Sequence, residues 1–172
     1  MTEKPIVGIV MGSDSDLDVM QRCARQLQEF GIACELRVIS AHRTPGAAHR
    51  YARAAAGRGL KVLVAGAGMS AALAGVLAAN TTLPVIGVPI ESGSLKGLDA
   101  LLSTSQMPPG VPVACMAIGA AGATNAAVLA ARILALSDAA LARRLRQFQR
   151  DQARKVAKKD AEVRTKAAGR KA

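Results

Sequence analysis

The sequence is poor in aromatic residues. Its 172 residues include no tryptophan, one tyrosine and two phenylalanines, although 51% of the residues are hydrophobic. A chain of this length can bury the core of one compact domain. Because the apolar residues are mainly Ala, Val, Leu and Ile, we expect a core of closely packed small aliphatic side chains, which suits helix-on-sheet contact.

Cysteine and histidine are also scarce. The three cysteines, Cys23, Cys34 and Cys115, are an odd number without paired spacing, and each lies in an apolar run. This pattern argues against a disulfide framework and against a zinc site. The two histidines, His42 and His49, form no metal-ligand cluster with the scattered cysteines, so no metal site is expected.

Long apolar runs and several common catalytic motifs are absent. No segment reaches the roughly 18 uninterrupted apolar residues of a membrane span. The N-terminal MTEKPIVGIVMG also lacks a signal-peptide pattern, so we expect a soluble, cytoplasmic protein with no membrane partner. The glycine-rich segment at 66–75 has neither GxGxxG spacing nor the GK[ST] of a P-loop. The absence of a GxSxG elbow disfavours a hydrolase.

Acidic residues are outnumbered, and the excess positive charge lies at one end of the chain. The formal net charge is +11, of which residues 143–172 carry +9 and the other residues only +2. Such a charge-rich end is more often a solvated helix or a disordered extension than a binding surface. We therefore predict one folded domain over 1–149, including a C-terminal helix, and a basic helical or disordered tail over 150–172. Nucleic acid is disfavoured as a partner.

Short apolar runs alternate with segments of helical periodicity. The predicted buried strands lie at 6–11, 34–39, 62–65, 85–88 and 113–118. Between the first two, apolar residues recur at helical spacing at Leu17, Met20, Ala24 and Leu27. This alternation predicts an α/β domain with right-handed βαβ units and a parallel sheet covered on both faces. Ligands bind such sheets beyond the carboxyl ends of the strands, so the loops after the strands are the candidate sites.

The loop after the first predicted strand reads GSDSD, residues 12–16. Ser15 and Asp18 fit a capping-box pattern, and a well-capped helix alone would account for these residue types. Alternatively, exposed N–H groups, the helix dipole and two hydroxyls form a phosphate site, with Asp16 accepting hydrogen bonds from ribose hydroxyls. Spacing alone favours the purely structural explanation.

The loop after the second predicted strand, SAHRTP at 40–45, is more informative. His42 can take up or release a proton near neutral pH, and the adjacent Arg43 can pair bidentately with a phosphate. A fixed cation beside a titratable base suits proton transfer on an anionic nucleotide. The alternative is that Thr44 caps a helix starting at Pro45 and that His42 is an ordinary loop residue. For an isolated histidine, this alternative is the commoner one.

Six segments along the chain are distinctive when taken together: VMGSDSD, VISAHRTP, AGAG, LPVIGVPIES, QMPPGVPV and AIGAAGATNAAVLAARIL. In order and spacing they resemble one enzyme family, class I N5-carboxyaminoimidazole ribonucleotide mutase, also described as the catalytic subunit of phosphoribosylaminoimidazole carboxylase. The resemblance implies a three-layer α/β/α, flavodoxin-like (Rossmann-like) domain, usually assembled as a homo-octamer with active sites at subunit contacts. It implies conversion of N5-carboxyaminoimidazole ribonucleotide to 4-carboxy-5-aminoimidazole ribonucleotide in de novo purine synthesis.

The resemblance also implies a division of labour among the loops. The substrate-binding residues at matching positions are Ser13, Ser15, Asp16, Ser40, Ala41, Arg43, Ala67 and Gly68. His42 would be the general acid and base: it protonates N5, carbon dioxide leaves and is retained, C4 attacks it, and His42 removes the C4 proton. Because one group cycles between two protonation states, the resemblance implies no cofactor, whether metal, ATP or biotin.

The third loop departs from the family pattern. The family normally reads close to AGAGGAAHLPG, whereas residues 65–75 read AGAGMSAALAG, so that Met69, Ala72 and Ala74 replace a glycine, a histidine and a proline. Two other functions stay open. One is direct carboxylation of aminoimidazole ribonucleotide by carbon dioxide, against which Arg43 argues because that sister class typically reads SAHK. The other is a non-catalytic nucleotide-binding or nucleic-acid-associated protein, suggested by the altered loop and the basic tail.

Overall fold

A computed structural model of the chain describes residues 4–168. The strands are β1 Val7–Met11, β2 Cys34–Val38, β3 Val62–Gly68, β4 Val85–Ile90 and β5 Ala114–Cys115. The helices are α1 Leu17–Glu29, α2 Pro45–Ala55, α3 Leu73–Ala78, α4 Leu98–Ser105, α5 Gly119–Ala135 and α6 Ala139–Ala168. A 3₁₀ turn at Asp14–Asp16 precedes α1.

The five strands form one parallel sheet in the order β2-β1-β3-β4-β5. After β2 the chain crosses back over β1 and adds β3 on its other side, so the direction of winding reverses between β1 and β3. This is the doubly wound, flavodoxin-like order, in which the ligand crevice lies at the carboxyl ends of the strands at that reversal. The predicted flavodoxin-like parallel sheet with flanking helices is confirmed.

Most of the buried core residues are Ala, Val, Leu and Ile, as the composition predicts. On one face of the sheet, Leu63 of β3 lies in a buried cluster with Tyr51 of α2 and Leu77 of α3. Helix α1 covers the other face, where a Cβ atom added to Gly66 would collide with the side chain of Met20. The sheet therefore carries helices on both faces, which leaves the carboxyl ends of its strands as the accessible edge.

Strands β3 and β4 extend further than the sequence predicted. Gly66 and Gly68 have a residue type that is common in turns, but they pair in register with Val88 and Ile90 of β4. Both positions lie against side chains that leave no room for a Cβ; at Gly68 that atom would lie 2.9 Å from the Cβ of Ser92. The glycines are therefore strand residues required by close packing. Strand β5 is conversely shorter than the predicted run at 113–118.

The C-terminal part of the chain is dominated by α6. Residues up to Ile133 form one compact unit, and those from Leu134 onward form a second. Helix α6 is continuous through residue 150, and residues 152–167 are all exposed. The division of the chain at residue 149 stays a prediction, and the tail positions 169–172 lie outside the described residues. No helix within 4–168 is long and apolar enough to cross a membrane.

Gly122 of α5 is a position where packing forbids a side chain. A Cβ there would overlap the carbonyl oxygen of Ala117, a backbone atom that cannot rotate away. We expect Gly122→Ala to destabilise the fold by about 1–3 kcal/mol, with a fall in Tm of about 2–4 °C per kcal/mol. Scanning calorimetry measures the change. The control is Gly57→Ala, whose Cβ would make only an ordinary 3.8 Å contact with Ala54; an equal Tm for the two variants would contradict this account.

Candidate active site

A cavity of about 560 Å³ lies beyond the carboxyl ends of β1 to β4. All nine residues selected from the sequence line it: Ser13, Ser15, Asp16, Ser40, Ala41, His42, Arg43, Ala67 and Gly68. The other lining residues are Gly12, Met69, Ser70, Ala71, Ala72, Leu73 and Ser92. Loops that are distant in the chain therefore meet at the point where the sheet reverses its winding, where a doubly wound sheet binds ligands.

The loop after β1 is held by a capping box, but not by the predicted pair of residues. The Ser13 hydroxyl accepts a hydrogen bond from the Ser15 N–H at 3.4 Å, and the Asp16 carboxylate accepts one from the Ser13 N–H at 3.0 Å. The prediction that Ser15 pairs with Asp18 was wrong. The chain makes one 3₁₀ turn before α1 begins. The capping residue is therefore Ser13, two residues before the predicted Ser15.

Asp16 is a buried carboxylate at the cavity wall, with 8% of its surface exposed. Burial raises the pKa of its carboxyl, while hydrogen bonds from the backbone N–H groups of Ser13 and Gly12 act in the opposite direction. Because burial disfavours the charged form, the carboxylate is stabilised by any further donor that reaches it. The hydroxyl groups of a sugar are donors of this kind, so the site suits a ribose.

Arg43 ties the loop after β2 to the loop after β1. Its guanidinium donates to the carbonyl oxygen of Gly12 at 3.1 Å and to the Ser40 hydroxyl at 3.4 Å. The same hydroxyl accepts from the Arg43 backbone N–H at 3.1 Å. These bonds hold a permanent positive charge at the cavity wall, where it can attract a phosphate.

Thr44 closes the same loop from its other end. It occupies the N-cap position of α2, as predicted, but its side chain makes no capping bond to that helix. Its hydroxyl instead donates to the Ser40 carbonyl oxygen at 2.9 Å and accepts from the Ser40 N–H at 3.1 Å. The loop is therefore closed by its own hydrogen bonds, which present residues 41–43 to the cavity.

His42 lies at the exposed part of this loop and lines the cavity. Within residues 4–168 its imidazole makes no hydrogen bond, so both ring nitrogens can contact a ligand. Histidine is the side chain best suited to exchange a proton near neutral pH. By contrast, His49 is exposed on α2 and is not among the lining residues.

Ser70 and Ser92 line the cavity but were not selected from the sequence. Ser92 follows β4, and the loop after that strand was predicted to lie at the same edge of the sheet. Its packing against Gly68 brings it to the cavity. Serine is common in loops, and the order of the strands is the only signal that could have singled out these two residues.

Hydroxyl, carboxylate, imidazole and guanidinium groups are the polar side chains of the cavity. Among the described residues, no group of three or more His, Cys, Asp or Glu side chains is arranged to hold a metal ion. The three cysteines are free thiols, and burial raises the pKa of Cys23, Cys34 and Cys115, which makes them weaker nucleophiles at neutral pH. Among the polar side chains that line the cavity, His42 is therefore the one best suited to transfer a proton near neutral pH.

Comparison with known proteins decides the family. Residues 6–155 match the family model described as AIR carboxylase. The chain belongs to the AIR carboxylase family. The resemblance found in the six sequence segments is therefore confirmed over most of the chain.

Two proteins of similar sequence carry a specific enzyme name. The relatives from Mycobacterium tuberculosis and Pyrococcus horikoshii are both named N5-carboxyaminoimidazole ribonucleotide mutase. The first is 56% identical over 161 residues, which cover 94% of this chain and 91% of the relative. The second is 54% identical over 158 residues, which cover 92% of this chain and 88% of the relative.

A solved structure shares the fold of this chain. The crystal structure of Treponema denticola PurE matches with a TM-score of 0.83 and 32% sequence identity, over 92% of this chain and 98% of that one. The parallel sheet and its helices are therefore similar to those of a solved structure over most of both chains.

Proposed function

We propose that the chain is an N5-carboxyaminoimidazole ribonucleotide mutase, which produces 4-carboxy-5-aminoimidazole ribonucleotide in de novo purine synthesis. The observation that carries the proposal is the meeting of Asp16, His42 and Arg43 in one cavity. They supply an acceptor for ribose, a group that exchanges protons and a cation for phosphate. The names of the relatives support the same reaction.

The substrate's phosphate is expected beside Arg43 and the loop that carries Ser13 and Ser15. Hydroxyls and a guanidinium at the start of a helix are a favourable environment for a phosphate. The ribose hydroxyls then donate to Asp16, whose buried carboxylate gains from them. With the sugar phosphate held at this end, the aminoimidazole ring and its carboxylate extend toward His42 and Gly68.

His42 acts as both general acid and general base in the proposed mechanism. It donates its proton to N5, the C–N bond of the carbamate breaks with its electron pair going to N5, and carbon dioxide is released within the cavity. C4 of the ring attacks the carbon dioxide, and neutral His42 then removes the C4 proton. The histidine ends in its starting protonation state, so no proton is consumed. Retention of the carbon dioxide beside C4 supplies the advantage of proximity.

Direct carboxylation of aminoimidazole ribonucleotide is the second candidate function. Ala72 lines the cavity at a position where the mutase pattern has a histidine, so the wall lacks an imidazole there. Loss of that group could change which form of the substrate is preferred. The carboxylase class typically has a lysine at the position of Arg43. We therefore rank direct carboxylation below the mutase reaction.

Initial rates distinguish the two candidates. The purified chain is assayed with N5-carboxyaminoimidazole ribonucleotide and, separately, with aminoimidazole ribonucleotide plus bicarbonate, without added ATP. The mutase reaction predicts faster turnover of the carboxylated nucleotide. Faster turnover of aminoimidazole ribonucleotide would favour the carboxylase, and turnover of neither nucleotide would contradict both.

We further propose that the chain assembles into a homo-octamer and that the protein is located in the cytoplasm. The resemblance implies the octamer, and an exposed apolar row at the start of α4, formed by Leu95, Leu98 and Leu102, supports association between copies. The free cysteines suit a reducing compartment. Sedimentation is expected to give eight times the chain mass of 17.7 kDa.

A further inference from the structure

The cavity offers little apolar surface to a heteroaromatic ring. No Phe, Tyr or Trp side chain is among its lining residues within the described part of the chain. Of the lining side chains, only Met69 and Leu73 are both apolar and larger than alanine. Leu73 is 1% exposed and belongs to the core, whereas Met69 is 58% exposed. Met69 is therefore the one large apolar side chain of the lining that is open to a ligand.

The backbone of Met69 adopts a conformation that favours glycine. Its φ is 55°, in the left-handed region that costs a residue with a Cβ free energy. A tight turn holds this conformation, because the Ala71 N–H donates to the Met69 carbonyl oxygen at 2.8 Å and the Ala72 N–H donates to the Ser70 carbonyl oxygen at 2.6 Å. Strain of this kind at a cavity is a pointer to function.

Packing in the core does not explain why a methionine occupies this strained backbone position. The Met69 side chain is exposed, so it contributes little to the core, and glycine would satisfy the same backbone without cost. The family pattern has glycine at this position. A methionine at a position whose backbone favours glycine indicates a use on the cavity side.

Resting on the proposed function, we propose that Met69 is a specificity-determining residue that packs its thioether against the face of the aminoimidazole ring. Thioethers make favourable contacts with aromatic rings, and the flexible side chain can adapt to a ring held from its sugar end. The contact compensates for the absence of Phe, Tyr and Trp residues in the lining. Met69 thereby selects nucleotides that carry a ring over bare sugar phosphates.

The test compares two ligands that differ by the ring. Calorimetric titration measures the Kd of 5-aminoimidazole ribonucleotide and of ribose 5-phosphate for the wild-type chain and for Met69→Gly. Loss of the thioether contact is expected to weaken nucleotide binding about fivefold and to leave ribose 5-phosphate binding unchanged. Met69→Gly is also expected to raise Tm, because it relieves the strained backbone. A purely structural role would change Tm without changing the preference between the ligands.

Two further variants separate apolar contact from backbone conformation. Met69→Asn accepts the left-handed backbone but is polar, so it is expected to bind the nucleotide as weakly as Met69→Gly does. Met69→Leu keeps an apolar side chain and is expected to retain most of the preference for the nucleotide. If Met69→Leu behaves like Met69→Asn, the contact is not apolar and the proposal is overturned.

Binding equilibria do not depend on turnover, so the two proposals can fail separately. A wild-type chain that binds 5-aminoimidazole ribonucleotide through Met69 but does not convert the carboxylated nucleotide would contradict the proposed function alone. A wild-type chain with no preference for the nucleotide over ribose 5-phosphate would overturn the role of Met69. If Met69→Gly weakened the binding of both ligands equally, the proposed role of Met69 would be overturned as well.

Discussion

Replacing His42 with asparagine is expected to lower kcat for N5-carboxyaminoimidazole ribonucleotide by about 10³-fold, within the range usual for a general acid and base. Asparagine can still hydrogen-bond to the substrate, but it cannot donate a proton to N5 or remove one from C4. KM should change much less, because the phosphate and ribose contacts that hold the substrate are made by Arg43 and Asp16 rather than by His42. Steady-state kinetics with purified enzyme measure both parameters.

The matched control for this variant is His49→Asn. His49 is exposed on α2, outside the cavity, so its replacement removes a histidine without touching the site. Its kcat is expected to equal that of the wild type, and both variants should retain the wild-type Tm. If His42→Asn kept more than about a tenth of the wild-type kcat, the proton transfers would have to be assigned to another group.

Arg43→Ala is expected to lower kcat/KM by about 10²-fold, chiefly through a higher KM. A charge-assisted, bidentate contact with phosphate is worth about 3 kcal/mol, and each 1.4 kcal/mol corresponds to about tenfold in affinity. The variant also loses the bonds from the guanidinium to Gly12 and Ser40 that join two loops of the cavity. Steady-state kinetics over a range of substrate concentrations separate KM from kcat.

Two further substitutions test whether Arg43 acts as a phosphate ligand. Arg43→Lys keeps the charge but not the forked geometry, so it should lie between the wild type and Arg43→Ala. Arg50→Ala removes an exposed arginine of α2 that does not line the cavity, and its kinetics should match the wild type. A lower kcat in Arg43→Ala with unchanged KM would show that the arginine stabilises the transition state rather than binding phosphate.

The alternation of apolar runs and helical segments was sufficient to predict the parallel sheet, because it depends on periodicity alone. The ends of β3 and β4 were not predictable from it. Gly66 and Gly68 have the composition of a turn, and only the neighbouring Met20 and Ser92 explain why glycine is needed inside a strand. Contacts between residues distant in the chain decide such boundaries.

The main residues of the candidate site were predictable from the sequence, whereas its local geometry was not. The loops after β1 and β2 contain side chains of distinctive chemistry, and the topology brings Asp16, His42 and Arg43 together as expected. Local geometry was harder to predict, since the 3₁₀ turn before α1 moved the capping box to Ser13. Ser92 was missed because nothing in its residue type distinguishes it from other loop serines.

The most direct test of the proposed reaction follows the carboxylate itself. The purified chain is mixed with N5-carboxyaminoimidazole ribonucleotide that carries an isotopic label in its N5-carboxylate, in a buffer containing unlabelled bicarbonate, and the product is analysed by NMR. We expect 4-carboxy-5-aminoimidazole ribonucleotide with the label in its C4 carboxylate, because carbon dioxide is retained in the cavity between the two steps. Absence of that product, or a C4 carboxylate that comes from the unlabelled bicarbonate, would contradict it.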